Sequence, residues 1–268
     1  MDLGLKSKTV LVTGGNSGIG KAIALGFAQE SGVNIAITYH QREDAANDVV
    51  QEIQRLGCEA CALQLNLEEP SQISRCIDFI VNRFGSLHTL INNAVYWGDP
   101  TYRGSRFEDI PLIHWQKMIR TNLLGTISVL QSAIPMMKKQ HFGRIVSISS
   151  DLAMESMVGS GPYSTVKAAL TGLNANLVSE LSSYNILSNV VLPSLTMTEN
   201  ATRQFSKTFQ DAAKTAFPTA RITKPEEVAS LVNYLGSAAN GHINGESIRV
   251  TGKGSQAMLS KIFADSTT

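Results

Sequence analysis

Short apolar runs alternate with longer amphipathic segments along almost the whole chain, and this alternation limits the possible fold more than any other feature. The apolar runs predict strands at Thr9–Val12, Val33–Tyr39, Ala60–Leu65, Leu87–Ile91, Arg144–Ile148, Ser188–Leu192 and Ser247–Val250. The amphipathic segments predict helices at Gly18–Glu30, Asp44–Leu56, Pro70–Phe84, Pro111–Gln140, Pro162–Ser183 and Pro225–Leu235. Strict alternation favours parallel strands, because each crossover between them needs a helix. We therefore predict one α/β domain, residues 1–268, with a doubly wound parallel sheet covered by helices on both faces.

Composition excludes several other classes of protein. Hydrophobic residues make up 43% of the chain and charged residues 17%, which excludes a disordered or fibrous protein. A formal net charge of +1 gives no reason to expect nucleic acid or an anionic membrane as a partner. No apolar run approaches the roughly 20 residues of a membrane span, so we expect a soluble cytoplasmic protein. Cys58 and Cys61 form a CxxC pattern without a second pair of ligands, and no metal site is predicted.

A glycine-rich turn, Thr13–Gly20 (TGGNSGIG), joins the first predicted strand to the first predicted helix. Glycines let the backbone turn tightly and approach a pyrophosphate, and a helix N-terminus offers free N–H groups and the positive end of its dipole. The place of this turn between a strand and a helix favours a nucleotide site. The alternative is an ordinary glycine-rich connection between the two elements.

Tyr163 and Lys167 are four residues apart, so they share one face of the helix that is predicted to begin at Pro162. A tyrosine with an ordinary pKa near ~10 is a poor acid–base group at neutral pH. A nearby ammonium favours the phenolate, so Lys167 is expected to lower the pKa of Tyr163 and to let it exchange a proton with a carbonyl or an alcohol. Ser150, at the end of a predicted strand, would hold the substrate oxygen, with Ser149 as the alternative. A Tyr/Lys pair on an ordinary exposed helix is the competing interpretation.

These motifs resemble the short-chain dehydrogenase/reductase family in its single-domain branch, and within it the ketoreductases similar to 3-oxoacyl-acyl-carrier-protein reductases. The resemblance rests on TGGNSGIG at Thr13–Gly20, NNA at Asn92–Ala94, Asn122 in TNLLG, Ser150, and Tyr163 with Lys167. It covers almost the whole chain, with the motifs in family order. It implies a Rossmann-type sheet of seven strands, a nicotinamide dinucleotide, hydride transfer between a carbonyl and an alcohol, and a homotetramer. It also implies the catalytic set Asn122, Ser150, Tyr163 and Lys167, in which Asn122 holds a water that links Lys167 to solvent.

The same resemblance implies which residues hold the cofactor. These contacts are Gly14, Asn16, Ser17, Gly18, Ile19, Gly20, Tyr39, His40, Arg42, Asn66, Leu67, Asn93, Ala94, Tyr163, Lys167, Pro193, Thr196 and Thr198. Asn66 stands where the family commonly has Asp near the adenine. The Asn92 amide would tie loops together around the cofactor, and the Thr198 hydroxyl would meet the nicotinamide carboxamide. Val95 and Ser194 depart from the family pattern, which has glycine at both positions.

The end of the second predicted strand indicates NADP(H) rather than NAD(H). Enzymes that use NAD commonly place Asp or Glu there to bind the ribose hydroxyls of adenosine. This position falls on Tyr39, no acid occurs before Glu43, and His40 and Arg42 follow at once. The planar fork of Arg42 can bind a 2′-phosphate. The alternative for His40 and Arg42 is a solvated turn before the next helix.

Two segments are expected on the substrate side: the loop 95–110 and the segment 197–221, which we predict to close over the substrate as a lid. Five aromatic residues within them either line a partly apolar substrate site or belong to the core: Trp97, Tyr102, Phe205, Phe209 and Phe217. Our hypothesis for the substrate is a small carbonyl or alcohol of acyl, polyketide-like or other secondary-metabolite type. A non-catalytic dinucleotide-binding regulator on the same fold is the alternative. An epimerase or dehydratase of the extended family branch would need a different glycine spacing.

Overall fold

The computed structural model describes residues 2–102, 104–155 and 157–265, and within these ranges seven strands form one sheet. The strands are β1 (Thr9–Val12), β2 (Asn34–Tyr39), β3 (Glu59–Gln64), β4 (Thr89–Asn92), β5 (Gly143–Ile148), β6 (Ile186–Pro193) and β7 (Ser247–Val250). Their order is β3-β2-β1-β4-β5-β6-β7, and every neighbouring pair is parallel. The prediction of an α/β protein with a doubly wound parallel sheet is confirmed.

Helices follow the strands and cover the sheet. In chain order they are α1 (Gly18–Ala28), α2 (Glu43–Arg55), α3 (Pro70–Phe84), α4 (Leu112–Met118), α5 (Gly125–Lys139), α6 (Gly161–Leu181), α7 (Glu199–Gln204), α8 (Lys207–Lys214), α9 (Pro225–Leu235) and α10 (Gln256–Asp265). The prediction of one helix over Pro111–Gln140 is confirmed as a continuous helical segment, although a π-helical stretch, Ile119–Leu124, lies between its α-helical parts α4 and α5. Within the described residues, no helix combines the length and the apolar character needed to cross a membrane.

Both faces of the sheet are apolar. Successive residues of a strand point to opposite sides, so a run of consecutive apolar residues supplies apolar side chains to each face. Val10 and Val12 of β1 pack with α1, α2 and α9 in one core, whereas Leu11 packs with α3 and α5 in a second core. This arrangement explains why the strand sequences are continuously apolar rather than alternating. Leu56, which ends the predicted helix Asp44–Leu56, lies just after α2 and is 41% exposed.

A third, smaller core joins α8, the segment that follows it, and α10. Its buried members are Phe209, Ala213, Ala216, Phe217, Ile222 and Leu259. Phe209 and Phe217 therefore belong to a core, which decides between the two interpretations that the sequence left open for them. Phe205 is only partly buried and packs against the same cluster.

The strand order reverses between β1 and β4, because the chain first builds the sheet outward through β2 and β3 and then returns. In open parallel sheets, ligands bind beyond the carboxyl ends of the strands at such a reversal. The loops that follow β1, β4, β5 and β6 therefore surround the crevice in which chemistry is expected.

Candidate active site

The glycine-rich turn, residues 13–20, folds tightly against the loop that follows β4. Gly14 has a φ of +64°, and a Cβ at this position would lie 2.9 Å from the Cα of Ala94. A Cβ on Gly20 would collide with the carbonyl oxygen of Gly14. Both positions require glycine, since a left-handed backbone and a close approach of two backbones each exclude a side chain.

Thr13 and Asn93 hold this turn in place. The Thr13 hydroxyl accepts hydrogen bonds from the N–H groups of Asn93 (2.9 Å) and Ala94 (3.0 Å). The Asn93 amide donates to the carbonyl oxygens of Thr13 (2.9 Å) and Gly14 (3.2 Å). Asn92, which was expected to tie these loops together, lies in β4, and its amide nitrogen has no hydrogen-bond partner in the described part of the chain. The connection is made by Asn93, one position further along.

The first turn of α1 is well suited to bind a phosphate. Ser17 is the N-cap residue of α1, but its side chain makes no capping hydrogen bond, and Asn16 and Ile19 flank this helix start. Uncapped N–H groups at a helix N-terminus bind anions readily. A Cβ on Gly18, which has a φ of +56°, would lie 3.3 Å from Cγ2 of Thr198, so the segment after β6 lies beside the turn. Together they form a cradle that fits a dinucleotide.

The two serines at the end of β5 have different partners. Ser149 donates its hydroxyl to the carbonyl oxygen of Lys167 at 2.8 Å and thereby fastens α6 to β5. Ser150 forms a hydrogen bond with the phenol of Tyr163, and its oxygen also accepts from the N–H of Leu152 at 3.2 Å. Because this N–H occupies a lone pair of Ser150, the hydroxyl proton is left for the phenol or for a bound oxygen. The structure thus places Ser150, and not Ser149, beside Tyr163.

Tyr163 and Lys167 lie on successive turns at the N-terminal end of α6. The Lys167 ammonium is 5.7 Å from the centroid of the Tyr163 ring and donates to the carbonyl oxygen of Ile148 at 2.7 Å. Burial lowers the pKa of Lys167 to about 8. Burial also raises the pKa of Tyr163, against a smaller opposing effect of the hydrogen bond with Ser150. Burial thus outweighs the lowering of the Tyr163 pKa that was expected from Lys167, and the net direction is the opposite of the expected one.

Asn122 lies in the π-helical stretch and is buried. Its side chain accepts from the N–H of Tyr96 at 2.7 Å and donates to the carbonyl oxygen of Tyr96 at 2.8 Å. Its own carbonyl oxygen accepts from the Thr126 hydroxyl at 2.8 Å. Stretches of π-helix are rare and occur frequently at functional sites. Asn122 thus clamps the loop after β4, and its part in a water relay to Lys167 stays a prediction.

At the end of β2, the carboxylate of Glu43 lies close to Tyr39, the position at which NAD enzymes commonly have an acid. Tyr39 is buried and forms a hydrogen bond with Glu43, which is in the first turn of α2. Burial first, and then the Glu43 carboxylate, raises the pKa of the Tyr39 phenol. His40 and Arg42 are exposed. A ligand at this strand end would therefore meet the Arg42 guanidinium and the Glu43 carboxylate together.

The two residues of interest after β3, Asn66 and Leu67, are held by contacts with nearby residues. The Asn66 side-chain oxygen accepts from the N–H of Glu68 at 3.0 Å, which leaves its amide N–H₂ group for a ligand. Leu67 packs closely on the start of α5, where a Cβ on Gly125 would lie 2.7 Å from the Leu67 Cβ. Gly125 therefore lets this loop approach the helix, a requirement that sequence reasoning missed.

The segment after β6 uses its hydroxyl groups in local hydrogen bonds. Pro193 ends the strand, and the Thr196 hydroxyl donates to the carbonyl oxygen of Ser194 at 2.9 Å. The Thr198 oxygen accepts from the N–H of Ala201 at 3.1 Å and so caps α7. The Thr198 hydroxyl still has its proton to donate, whereas the Thr196 hydroxyl already donates its own to Ser194.

The aromatic residues expected on the substrate side form two groups: those of the loop 95–110, which contact rings outside the third core, and those of the segment 197–221, which belong to that core or pack against it. Trp97 stacks on the Tyr163 ring, with ring centroids 5.4 Å apart. Tyr102 packs against His114, with ring centroids 5.1 Å apart. Phe205 packs on Phe209 in the third core. Trp97 is thus the aromatic residue that contacts the predicted catalytic tyrosine.

An ion pair next to Ser150 was not anticipated. Asp151 is fully buried, and its carboxylate lies 2.6 Å from the Nη2 atom of Arg249 on β7. The same guanidinium is 2.5 Å from the carboxylate of Glu155. Hydrogen bonding to Glu155, together with the two negative charges, raises the pKa of Arg249 against the effect of burial. Pairing between a strand and a loop so far apart in the chain leaves no local pattern in the sequence.

Comparison with known proteins agrees with this geometry. A family model described as short chain dehydrogenase matches residues 8–208. The chain is similar to the 3-oxoacyl-acyl-carrier-protein reductase of Staphylococcus aureus, with 32% identity over 246 residues, 92% of this chain and 97% of that protein. Among solved structures, it is similar to a 7α-hydroxysteroid dehydrogenase complexed with NADH and 7-oxo glycochenodeoxycholic acid, with a TM-score of 0.86, 28% identity, and coverage of 95% of this chain and 97% of that one. It is also similar to a short chain dehydrogenase from Burkholderia cenocepacia in complex with NADP, with a TM-score of 0.82, 31% identity, and coverage of 92% and 98%.

Proposed function

The chain belongs to the short-chain dehydrogenase family, and we propose that it is an NADP(H)-dependent oxidoreductase that interconverts a ketone and a secondary alcohol. The observation that carries the proposal is the meeting of Ser150, Tyr163 and Lys167 at the end of β5. These groups supply an oxygen-binding hydroxyl, a proton donor and a cation. A non-catalytic dinucleotide-binding regulator would need the glycine-rich turn but not these three side chains.

The cofactor is NADP(H), which supplies or accepts the hydride when it is bound. The N–H groups at the start of α1 and the glycine-rich turn would hold its pyrophosphate. The Arg42 guanidinium would bind the 2′-phosphate that distinguishes NADP from NAD. The Burkholderia relative was solved with NADP and the hydroxysteroid dehydrogenase with NADH. The preference of this chain therefore depends on its own residues at the end of β2.

Tyr163 is the proposed acid and base. Because burial raises the pKa of Tyr163, the phenol carries its proton at neutral pH and is ready to donate to the oxygen of a ketone. Ser150 has one lone pair occupied by the N–H of Leu152, so its own proton is directed to the same oxygen. Negative charge that develops on the substrate oxygen would meet two hydroxyl donors.

Lys167 supports the reaction by its charge. Its ammonium, fixed by the carbonyl oxygen of Ile148, lies near the phenol and favours the phenolate that forms once the proton has left Tyr163. With a pKa of about 8, Lys167 is mainly charged at neutral pH. Asn122 contributes by clamping the backbone of Tyr96, which borders the site.

The substrate is proposed to be a partly apolar carbonyl compound of acyl, polyketide-like or other secondary-metabolite type. The similarity to the Staphylococcus reductase supports a ketone within an acyl chain. The segment 197–221, which contains α7 and α8, is proposed to close over the substrate, since Thr198 places its start beside Gly18.

A homotetramer is proposed as the working assembly. Apolar side chains on α4 and at the end of the π-helical stretch face solvent: Leu112 is 71% exposed, Ile113 70% and Leu124 53%. A second copy of the chain that packs on these helices would remove this apolar surface from water.

The proposed function is tested by NADPH oxidation with a panel of ketones, followed at 340 nm in the wild type and in Tyr163→Phe. We expect turnover in the wild type, a loss of about 10²-fold to 10⁴-fold in kcat for Tyr163→Phe, and NADPH binding retained in that variant. Tyr184→Phe, at a tyrosine outside the site, is the matched control. The alternative, a non-catalytic regulator, would be favoured if the protein binds NADPH but neither reduces any ketone with NADPH nor oxidises any alcohol with NADP.

A further inference from the structure

The indole of Trp97 covers one side of the reaction centre. Its ring is nearly parallel to that of Tyr163, with 17° between the planes and 5.4 Å between the centroids. Yet Trp97 is 64% exposed, so much of the indole is open to solvent beside the Tyr163 ring. A substrate whose carbonyl oxygen is bound by Tyr163 would therefore carry its adjacent substituent past this exposed indole.

The position of Trp97 is fixed from both sides. Tyr96, the residue before it, is held through both its N–H and its carbonyl oxygen by the side chain of Asn122. Gly98, the residue after it, has a φ of +86°, and a Cβ there would lie 3.1 Å from the His114 ring. Because the chain turns tightly between these two supports, the indole is presented by a preorganised loop rather than by a mobile one.

We propose that Trp97 is a specificity-determining residue, against which the substrate lays a flat, uncharged apolar substituent next to its reacting carbonyl. This inference rests on the proposed ketone–alcohol function and narrows its substrate class. Covering exposed indole surface is favourable in proportion to the apolar area removed from water. The face of an aromatic ring carries negative charge density, so an anionic substituent such as a carboxylate is disfavoured there.

Three ketones that share one skeleton test the proposal: 2-butanone, 4-phenyl-2-butanone and 4-oxopentanoate. They differ only in having a hydrogen, a phenyl ring or a carboxylate at the far end. If the phenyl ring covers roughly 50–100 Å² of apolar surface at about 25 cal/mol per Å², kcat/KM should favour it over the hydrogen by about 10-fold to 70-fold. The carboxylate compound should be the poorest of the three.

Trp97→Ala should abolish most of this preference, and Trp97→Phe should restore part of it. The quantity to compare is the ratio of kcat/KM for 4-phenyl-2-butanone to that for 2-butanone. A purely structural role of Trp97 would lower both values together and leave the ratio unchanged. An unchanged ratio in Trp97→Ala would overturn the proposal.

Fluorescence supplies a readout that does not need turnover. The chain has two tryptophans, so Trp115→Phe leaves Trp97 as the single indole. Trp115 packs on Phe107, where a phenyl ring keeps the contact. In the presence of NADP, which cannot reduce a ketone, 4-phenyl-2-butanone should shift the Trp97 emission to the blue and saturate, whereas 2-butanone at equal concentration should not. Absence of this shift would refute the role of Trp97. Failure of NADPH oxidation with every ketone would instead refute the proposed function.

Discussion

Replacing Arg249 with methionine should destabilise the chain and slow its chemistry, because it removes the cation that faces a buried carboxylate beside Ser150. Asp151 is fully buried, and its carboxylate is 2.6 Å from the Arg249 guanidinium. Asp151 follows Ser150 directly and opens the short helical turn whose Leu152 N–H orients the Ser150 hydroxyl. A shift of Asp151 would therefore be passed to Ser150.

The size of the effect follows from the burial of the two partners. Removing one member of a buried ion pair costs about 3–5 kcal/mol. Because the Arg249 side chain is 29% exposed, water reaches this pair in part, and we expect a loss of about 2–3 kcal/mol. With an unfolding entropy of about 2.1 cal/mol/K per residue, a chain of 268 residues should lose about 4–5 °C in Tm.

Thermal unfolding and steady-state kinetics together check this prediction. Adding Asp151→Asn to Arg249→Met should recover part of the lost Tm, since no unpaired buried charge is left. Lys207→Met is the matched control, because it removes a partner of Asp211 from an ion pair in which both side chains are mostly exposed and should leave Tm unchanged. The reasoning is refuted if Arg249→Met unfolds like the control, or if the double variant is less stable than Arg249→Met alone.

Four further predictions address the cofactor, the pH dependence, the lid and the assembly. Arg42→Ala should lower kcat/KM with NADPH about 10-fold to 100-fold and barely change it with NADH, because a charged hydrogen bond is lost; equal losses with both cofactors would contradict this. Since burial lowers the pKa of Lys167 to about 8, kcat/KM for NADPH should fall as the pH rises through about 8 and the ammonium is lost. The same fall near pH 8 in Lys167→Arg would exclude Lys167 as its cause. The segment 197–221 should gain protection from hydrogen exchange when NADP and a ketone are both bound, and unchanged protection would exclude a lid. Sedimentation at micromolar concentration should show a tetramer that Leu124→Glu dissociates, so a monomeric wild type would refute the proposed assembly.

Local signals in the sequence predicted most of the fold. The bounds of α3 and α9 agree with the predicted ones, because Pro70 and Pro225 mark the helix starts and Gly85 and Gly236 follow the ends. The prediction failed where distant contacts decide the structure. No helix was predicted for Gln256–Asp265, the α10 helix, which packs through Leu259 on the third core.

The candidate site shows the same difference: local signals predicted some of its residues, and contacts between distant parts of the chain were missed. The i,i+4 spacing placed Tyr163 beside Lys167, the end of a predicted strand offered Ser150 or Ser149, and the family resemblance selected Ser150. The direction of the Tyr163 pKa was wrong, because spacing shows which charges are near but not how much water a group has lost. The pairing of Asp151 with Arg249 depends on the order of β5, β6 and β7 in the sheet, which no short motif records.

One loop supports both halves of the site. At its start, Asn93 holds the glycine-rich turn through two carbonyl oxygens, and four residues later Trp97 stacks on Tyr163. Asn122 clamps the backbone immediately before Trp97. A segment this short reaches at most about 3.3–3.6 Å per residue, so neither end can move far without displacing the other. Val95, where the family pattern has glycine, lies in the middle of this loop and restricts its backbone more than glycine would. Val95 in place of glycine thus restricts the backbone between the glycine-rich turn and Trp97, and it favours a fixed position of the Trp97 indole over the Tyr163 ring.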